Sequence, residues 1–346
     1  VNQLLFGDFT YDELQVKIQQ MGQAKFRATQ LFEWIYQKRV NQLQLMTNLP
    51  KAFQEELSEQ FRFPGISQVA KQLSKDGTIK WLLSLPDEAR IETVLMPSLY
   101  GNTVCVSTQV GCKMGCTFCA STIGGIERNL SAGEIVEQVL HVQRFLDHKQ
   151  ERVSNIVVMG SGEPLDNYEE TMKFIKIINH EKGLHIGQRH ITISTCGIVP
   201  RIYDLIKDAP QVTLSVSLHA PNDDLRTEIM PINKKHRIVD VVQACRDFIN
   251  ATRRRISFEY ALIEGVNDQP KHARELIELL RGMMCHINLI PVNEVDERNT
   301  KKSSTEAVEK FKNILDKGGL SVTVRKERGA DIAAACGQLR AQLANQ

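Results

Sequence analysis

The sequence predicts an α/β protein, a partial barrel of six βα units preceded by a small helical unit. Three observations predict it. Beyond Asn102, short apolar strands alternate with amphipathic helices, the order of a parallel sheet with crossover helices. Before Phe61, apolar residues recur at helical spacing instead. The 346 residues, 42% hydrophobic and 24% charged, suffice for a sizeable core and exclude disordered, collagenous and coiled-coil chains.

In chain order, Leu14, Ile18 and Met21, then Leu31, Trp34 and Ile35, mark the helices of residues 1–65, an accessory unit interrupted by Pro50 and closed by Gly65. Residues 78–85 and 90–96 read as strands about a turn at Pro86 and Asp87, within a hairpin connector over 66–101. The barrel over 102–320 takes its strands from 103–108, 155–159, 190–194, 212–218, 256–261 and 286–290. Ser131 with Glu134, and Asn167 with Glu170, have the spacing of capping boxes that open its first two helices. A last strand, 321–325, leads into a small-residue tail within the segment 321–346. Val212, Leu214, Val216 and Leu218 alternate with Thr213, Ser215 and Ser217, and Ile191 and Ile193 with Thr192 and Ser194. A barrel lumen is ordinarily filled with bulky apolar side chains, so a hydroxyl face predicts a lumen holding a polar ligand; a satisfied Ser/Thr ladder is the alternative.

With 43 Lys and Arg against 41 Asp and Glu, the net charge of +2 exerts no global pull toward nucleic acid or anionic membrane. Any RNA surface is local, and the basic runs 234–237, 253–255, 301–302 and 325–328 are candidates. No apolar run approaches the roughly 18 residues of a membrane span. Asp8, Asp12, Glu13 and Lys17 break up the start, which reads as neither signal peptide nor anchor, and the absence of Met at position 1 points to numbering that begins after processing or trimming. The expectation is a cytoplasmic protein whose eight cysteines are thiols or ligands rather than a disulfide framework.

Cys112, Cys116 and Cys119 form CxxxCxxC just after the first barrel strand, where a parallel barrel places its chemistry. Three neighbouring thiolates suit a soft metal centre. A structural zinc takes four protein ligands, and no further Cys or His follows until His141. Three ligands on a 4Fe-4S cube leave one iron open, able to chelate the amino and carboxylate groups of S-adenosylmethionine (SAM) and to deliver an electron to its sulfonium. One βα unit later comes Met-Gly-Ser-Gly-Glu-Pro, residues 159–164, whose glycine-exposed backbone and Glu163 carboxylate can accept the SAM amino group. With these motifs, and Phe118 before the last Cys, the sequence resembles the radical SAM superfamily.

Further motifs narrow the resemblance: Ser-Leu-His at 217–219, Pro-Ile-Asn at 231–233, Phe-Glu-Tyr at 258–260, Gly-Val-Asn-Asp at 265–268, Asn-Leu-Ile-Pro at 288–291 and Ala-Cys-Gly-Gln-Leu around Cys336. Together they resemble the RlmN/Cfr family of RNA methyltransferases over nearly the whole chain, and Phe-Glu-Tyr with Asn-Leu-Ile-Pro-Val-Asn favours the RlmN branch. The resemblance implies a partial (βα)6 radical SAM barrel, one 4Fe-4S cluster and two SAM per turnover. It implies methylation of carbon 2 of adenosine in 23S rRNA, at the peptidyl transferase centre, and in tRNA, 3′ of the anticodon; the Cfr branch would methylate carbon 8 and confer antibiotic resistance. It further implies that Cys336 accepts a methyl from one SAM, and that a radical from the second converts it to a methylene radical that adds to the base. Cys105 then resolves the protein–RNA link through a transient disulfide, and Glu92 accepts the ring proton. For SAM it implies Gly162, Glu163, Ser194, Ser217, Leu218, His219 and Asn293. The implied partners are the two RNAs and a one-electron donor such as flavodoxin or ferredoxin, with a monomeric protein and no membrane. Cys196, where the family usually has Ser, adds a thiol near the cofactor region. A radical SAM enzyme for a peptide or metabolite would need neither the Cys336 segment nor Glu92, and a metal-stabilised RNA-binding module would cleave no SAM.

Overall fold

The computed structural model describes residues 3–295 and 297–339. Residues 340–346, the end of the expected C-terminal segment, lie outside the described residues, as do residues 1, 2 and 296.

One ten-stranded sheet organises the molecule, its strands in unbroken sequence order from Val322–Val324 at one edge to Ser67–Leu73 at the other. Seven run parallel: Asn102–Cys105, Val153–Val158, Ile191–Thr195, Thr213–Ser217, Ile256–Leu262, Cys285–Pro291 and Val322–Val324. All six predicted barrel strands are present, within a few residues of their expected ends, and the 321–325 strand adds a seventh. The hairpin of Ile79–Ser84 and Arg90–Met96 continues the same sheet by antiparallel pairing of Val94 with Cys105. The edge strand Ser67–Leu73 had no signature in the sequence, because its side chains are largely exposed and polar and show no apolar alternation.

Crossover helices cover the sheet because each presents one apolar face to it. In Ala132–Asp147, Ile135, Val139 and Val142 are fully buried, and the predicted box of Ser131 and Glu134 caps its start. Ile191, Ile193, Leu214 and Val216 meet such helices from the sheet, each fully buried and contributing about 1.5–3 kcal/mol relative to exposure. The second expected capping box is absent. Asn167 precedes Tyr168–Asn179 but gives its side-chain amide to the carbonyls of Thr108 and Leu130, while Glu170 accepts the N–H of Ala132. Asn167 thereby stitches neighbouring loops and Glu170 satisfies an N-terminal N–H of the preceding helix, backbone groups that have no partner within their own elements.

The N-terminal unit is helical as expected, with Tyr11–Gln20, Phe26–Phe32, a π-turn at Glu33–Gln37 and Lys51–Gln60. Phe6 stacks on Phe61 with ring centroids 4.6 Å apart. Gly7 abuts Gly133 so closely that a Cβ on Gly7 would lie 2.5 Å from the Gly133 Cα, and Asp8 accepts the Gly133 N–H at 2.9 Å. This contact fixes the unit on the first crossover helix. No helix among the described residues is long and apolar enough to cross a membrane.

Candidate active site

The C-terminal ends of the parallel strands surround a cavity that, together with its open mouth, encloses about 980 Å³. Cys112, Cys116 and Cys119 line one side. Their loop wraps tightly because Gly111 and Gly115 adopt positive φ (75° and 73°); a Cβ on Gly111 would sit 2.1 Å from the Gly125 carbonyl. Thr122 Oγ1 donates to the carbonyls of Cys116 and Cys119 at 3.0 and 2.9 Å, and the Thr117 N–H donates to Ile229 at 3.0 Å. Burial, then the neighbouring thiols, push the Cys112 thiol up to about 12 and the Cys116 thiol up as well. Three thiols, Cys112 buried and Cys116 and Cys119 half-buried, that oppose one another's ionisation are relieved by a cationic guest that takes their negative charge. No three His, Cys, Asp or Glu donors among the described residues are grouped for a single metal ion. A 4Fe-4S cube is a larger guest that offers a separate iron to each thiolate, so the donor set fits a cluster.

Next to the thiols, Glu163 ends the Met-Gly-Ser-Gly-Glu-Pro turn, 4% exposed and on the cavity wall. Its carboxylate accepts the N–H groups of Cys196 at 2.7 Å and Leu165 at 3.0 Å; burial raises its pKa and these bonds oppose the rise. Gly162, with φ of 104°, lies against Gln109, and a Cβ there would come within 2.6 Å of the Gln109 side chain. Ser194, Ser217, His219 and Asn293 also line the cavity, so the hydroxyl faces of two strands do look into a lumen. Ser215 does not; its hydroxyl donates to Glu259 at 2.7 Å. Leu218 is fully buried and absent from the cavity wall, leaving its backbone as its contribution near the site. His219 has φ of 56°, held by Asn267 on its carbonyl and by the Ala261 N–H on Nδ1. Burial, then Arg226, lower its pKa to about 3, so the ring is neutral and Nε2 carries the proton.

Cys336 lines the same cavity on an exposed turn. Asn293 donates to its carbonyl at 2.9 Å, Ala120 N–H to that of Gly337 at 2.7 Å, and Ser121 to that of Leu339 at 2.7 Å. The segment is thereby tied to the loop of the three thiols. Cys105 lies behind it, buried in an apolar group with Val94, Ala334 and Leu339. Burial, then the charge of Cys336, push the Cys105 thiol up to about 12. All eight cysteines are free, so the disulfide expected between Cys105 and Cys336 is not formed in this structure.

Glu92 does not line the cavity. It is 2% exposed and paired at 2.9 Å with Lys80, whose ammonium also donates to Ala333 in the Cys336 segment. Arg325, read from sequence among surface basic runs, lines the cavity instead, with Nη1 3.6 Å from the Glu259 carboxylate. Glu259, Thr195 and Lys80 escaped sequence reading because their placement depends on cross-strand register; the one available signal was an ionisable residue within an otherwise apolar strand.

Two family models match the chain, the radical SAM superfamily over residues 106–280 and the ribosomal RNA large subunit methyltransferase N-terminal domain over residues 4–62. The sequence is 55% identical over 332 residues to a probable dual-specificity RNA methyltransferase RlmN of Staphylococcus saprophyticus, covering 96% of this chain and 91% of that protein. It is 54% identical to the protein of the same description from Geobacillus kaustophilus, with the same two coverages. The crystal structure of a radical SAM methyltransferase from Sphaerobacter thermophilus superimposes with a TM-score of 0.95 at 44% identity, over 98% of this chain and 100% of that one. The fold, the cysteine loop and similarity along both segments place this chain in the RlmN family of radical SAM methyltransferases.

Proposed function

We propose that this protein methylates carbon 2 of adenosine in 23S rRNA and in tRNA, through a methyl group carried on Cys336. The observation that carries the reading is a single cavity lined by three cluster-type thiols and by a fourth, exposed thiol, Cys336. An RNA-modifying radical SAM enzyme without a protein methyl carrier would have no use for that fourth thiol. Among relatives, the RlmN description supports carbon 2 over carbon 8.

In this reading Cys112, Cys116 and Cys119 hold a 4Fe-4S cluster, which when bound and reduced supplies one electron to the SAM sulfonium and so starts radical chemistry. Glu163 accepts hydrogen bonds from the SAM ammonium, with Gly162 opening the backbone for it. Ser194, Ser217, the Leu218 backbone, His219 and Asn293 orient the remainder. Cys336 loses its proton, takes a methyl from the first of two SAM molecules and, held by Asn293 and Ala120, presents it to the cavity. Cys105, behind the same segment, gives up its proton and attacks the Cys336 sulfur once the base is attached. The bond from that sulfur to the transferred carbon breaks, its electron pair takes up a proton to complete the product's methyl group, and the Cys105–Cys336 disulfide that forms is returned to thiols by an external dithiol reductant. Glu92 removes the ring proton, which requires the Cys336 segment to shift, because Lys80 now occupies that carboxylate. A target adenine turned out of its stack enters from the cavity mouth. The protein acts as a monomer in the cytoplasm, with flavodoxin or ferredoxin as electron donor.

Anaerobic reconstitution with iron and sulfide, followed by mass spectrometry of digested RNA, tests the proposal. Wild-type protein yields 2-methyladenosine and C336A yields none; 8-methyladenosine alone, or stoichiometric zinc without iron, overturns it.

A further inference from the structure

We propose that Arg226 is the buried counter-charge of the iron–sulfur cluster, keeping its reduction potential within reach of a low-potential one-electron donor. The proposal rests on the cluster assignment above and concerns a residue outside the cavity wall.

Arg226, on the helix Asp223–Ile229, is fully buried. Its guanidinium makes five hydrogen bonds, all to neutral acceptors: the carbonyls of Cys196 at 2.6 Å, Ser217 at 3.2 Å, Leu218 at 3.2 Å and His236 at 3.3 Å, and Asn233 Oδ1 at 2.9 Å. Asp223 does not neutralise it, being engaged by Arg237 at 2.8 Å and by the Ile238 N–H at 2.9 Å, with Asn233 between the two. No carboxylate among the described residues forms an ion pair with Arg226. A guanidinium cannot shed its proton in a protein, and a buried charge without a counter-ion is costly. Such a charge persists where a partner arrives later.

The site of that partner adjoins the same helix. The carbonyl of Ile229, at the end of the same helix, holds the Thr117 N–H next to Cys116. Cys112, Met114, Cys196, Ala220, Ile229 and Met230 form one buried apolar group with Cys116 packed on it, so little solvent screens Arg226 from the thiols. Consistently, the thiols of Cys196 and Cys116 are the neighbours whose negative charge most opposes the effect of burial on Arg226. An oxidised 4Fe-4S core bound by three thiolates is already an anion, and the electron that reduces it adds a further negative charge. A fixed positive charge favours the reduced state, since net charge is among the terms that set these potentials. Meanwhile three of the five hydrogen bonds tie the fork to the strand-end carbonyls of Cys196, Ser217 and Leu218, and all five leave its charge intact.

The test is a redox titration of the reconstituted full-length protein, following the reduced-cluster EPR signal with dithionite as electron donor. Arg226→Gln lowers the reduction equilibrium constant at least tenfold, 59 mV for a one-electron couple; Arg226→Lys, which keeps the charge, stays within about threefold of wild type. Because Gln leaves carbonyls unpaired and can impair folding, a second variant moves the charge instead. Asn233→Asp combined with Asp223→Asn brings a carboxylate onto Arg226 at constant net charge, and shifts the potential in the same direction as Gln. An unchanged potential in an iron-loaded Gln or exchange variant overturns the proposal, as does an equal fall in the Lys variant. A wild-type protein that binds no iron would instead overturn the cluster assignment.

Discussion

The side-chain amide of Asn293 donates to the carbonyl of Cys336 at 2.9 Å, tying the segment after a barrel strand to the turn that carries the Cys336 thiol. Asn293→Ala removes one hydrogen bond, about 1 kcal/mol, so the turn opens roughly fivefold more often. Hydrogen exchange of residues 334–338 without SAM isolates this effect from any role of Asn293 toward the cofactor. Unchanged exchange would show that the contacts of Ala120 and Ser121 hold the turn alone.

Thiol reactivity follows burial. Cys336 is exposed, whereas burial pushes Cys105 up to about 12 and Cys285 up to about 11. In cluster-free protein at neutral pH, iodoacetamide should alkylate Cys336 at least about tenfold faster than Cys105. Peptide mapping over time reads the order directly.

Asp76 clasps the acceptor segment by receiving the N–H groups of Thr78 at 2.9 Å and Gly329 at 3.2 Å. Burial works against ionisation, but these bonds with those of Thr78 and Ser74 win and lower its pKa to about 2 from 3.8. A depressed carboxylate stabilises the fold above its unfolded pKa and loses that contribution as pH falls through the folded value. Proteolytic protection of residues 325–337 in wild type over Asp76→Asn should therefore be full above pH 4 and vanish near pH 2. A constant difference across that window would contradict the clasp.

Gly162 tolerates no side chain. Its φ of 104° and the 2.6 Å approach of a Cβ to Gln109 make Gly162→Ala destabilising by about 1–3 kcal/mol. Because Gln109 also receives the Glu163 N–H at 2.9 Å, SAM affinity should fall with stability. Gly187→Ala, whose Cβ would meet only His190 at 3.9 Å, is the control expected to change neither thermal midpoint nor SAM binding.

Legibility of the chain follows the range of the forces that shaped each part. The parallel strands were readable because burying one face against the helices writes a local apolar alternation, as at Val212, Leu214 and Val216. The edge strand Ser67–Leu73 was not, since it buries little. Cys112, Cys116 and Cys119 were readable because one loop holds all three within eight residues. The surroundings of Glu92 were not, since Lys80 closes over it from the neighbouring strand. Arg325 looked like part of a basic surface run until Glu259 turned it inward.

By itself the sequence determined the α/β architecture, the cysteine loop and the family, since each is written in residues close together in the chain. Only the tertiary structure decided that Cys336 shares a cavity with the three thiols, that Cys105 packs in a buried apolar group with residues of the Cys336 segment and that Arg226, among the described residues, is buried without a carboxylate ion pair. Those facts depend on which strand ends meet across the sheet, and the free energy of such meetings comes from burial and charge summed over distant segments rather than from any local pattern.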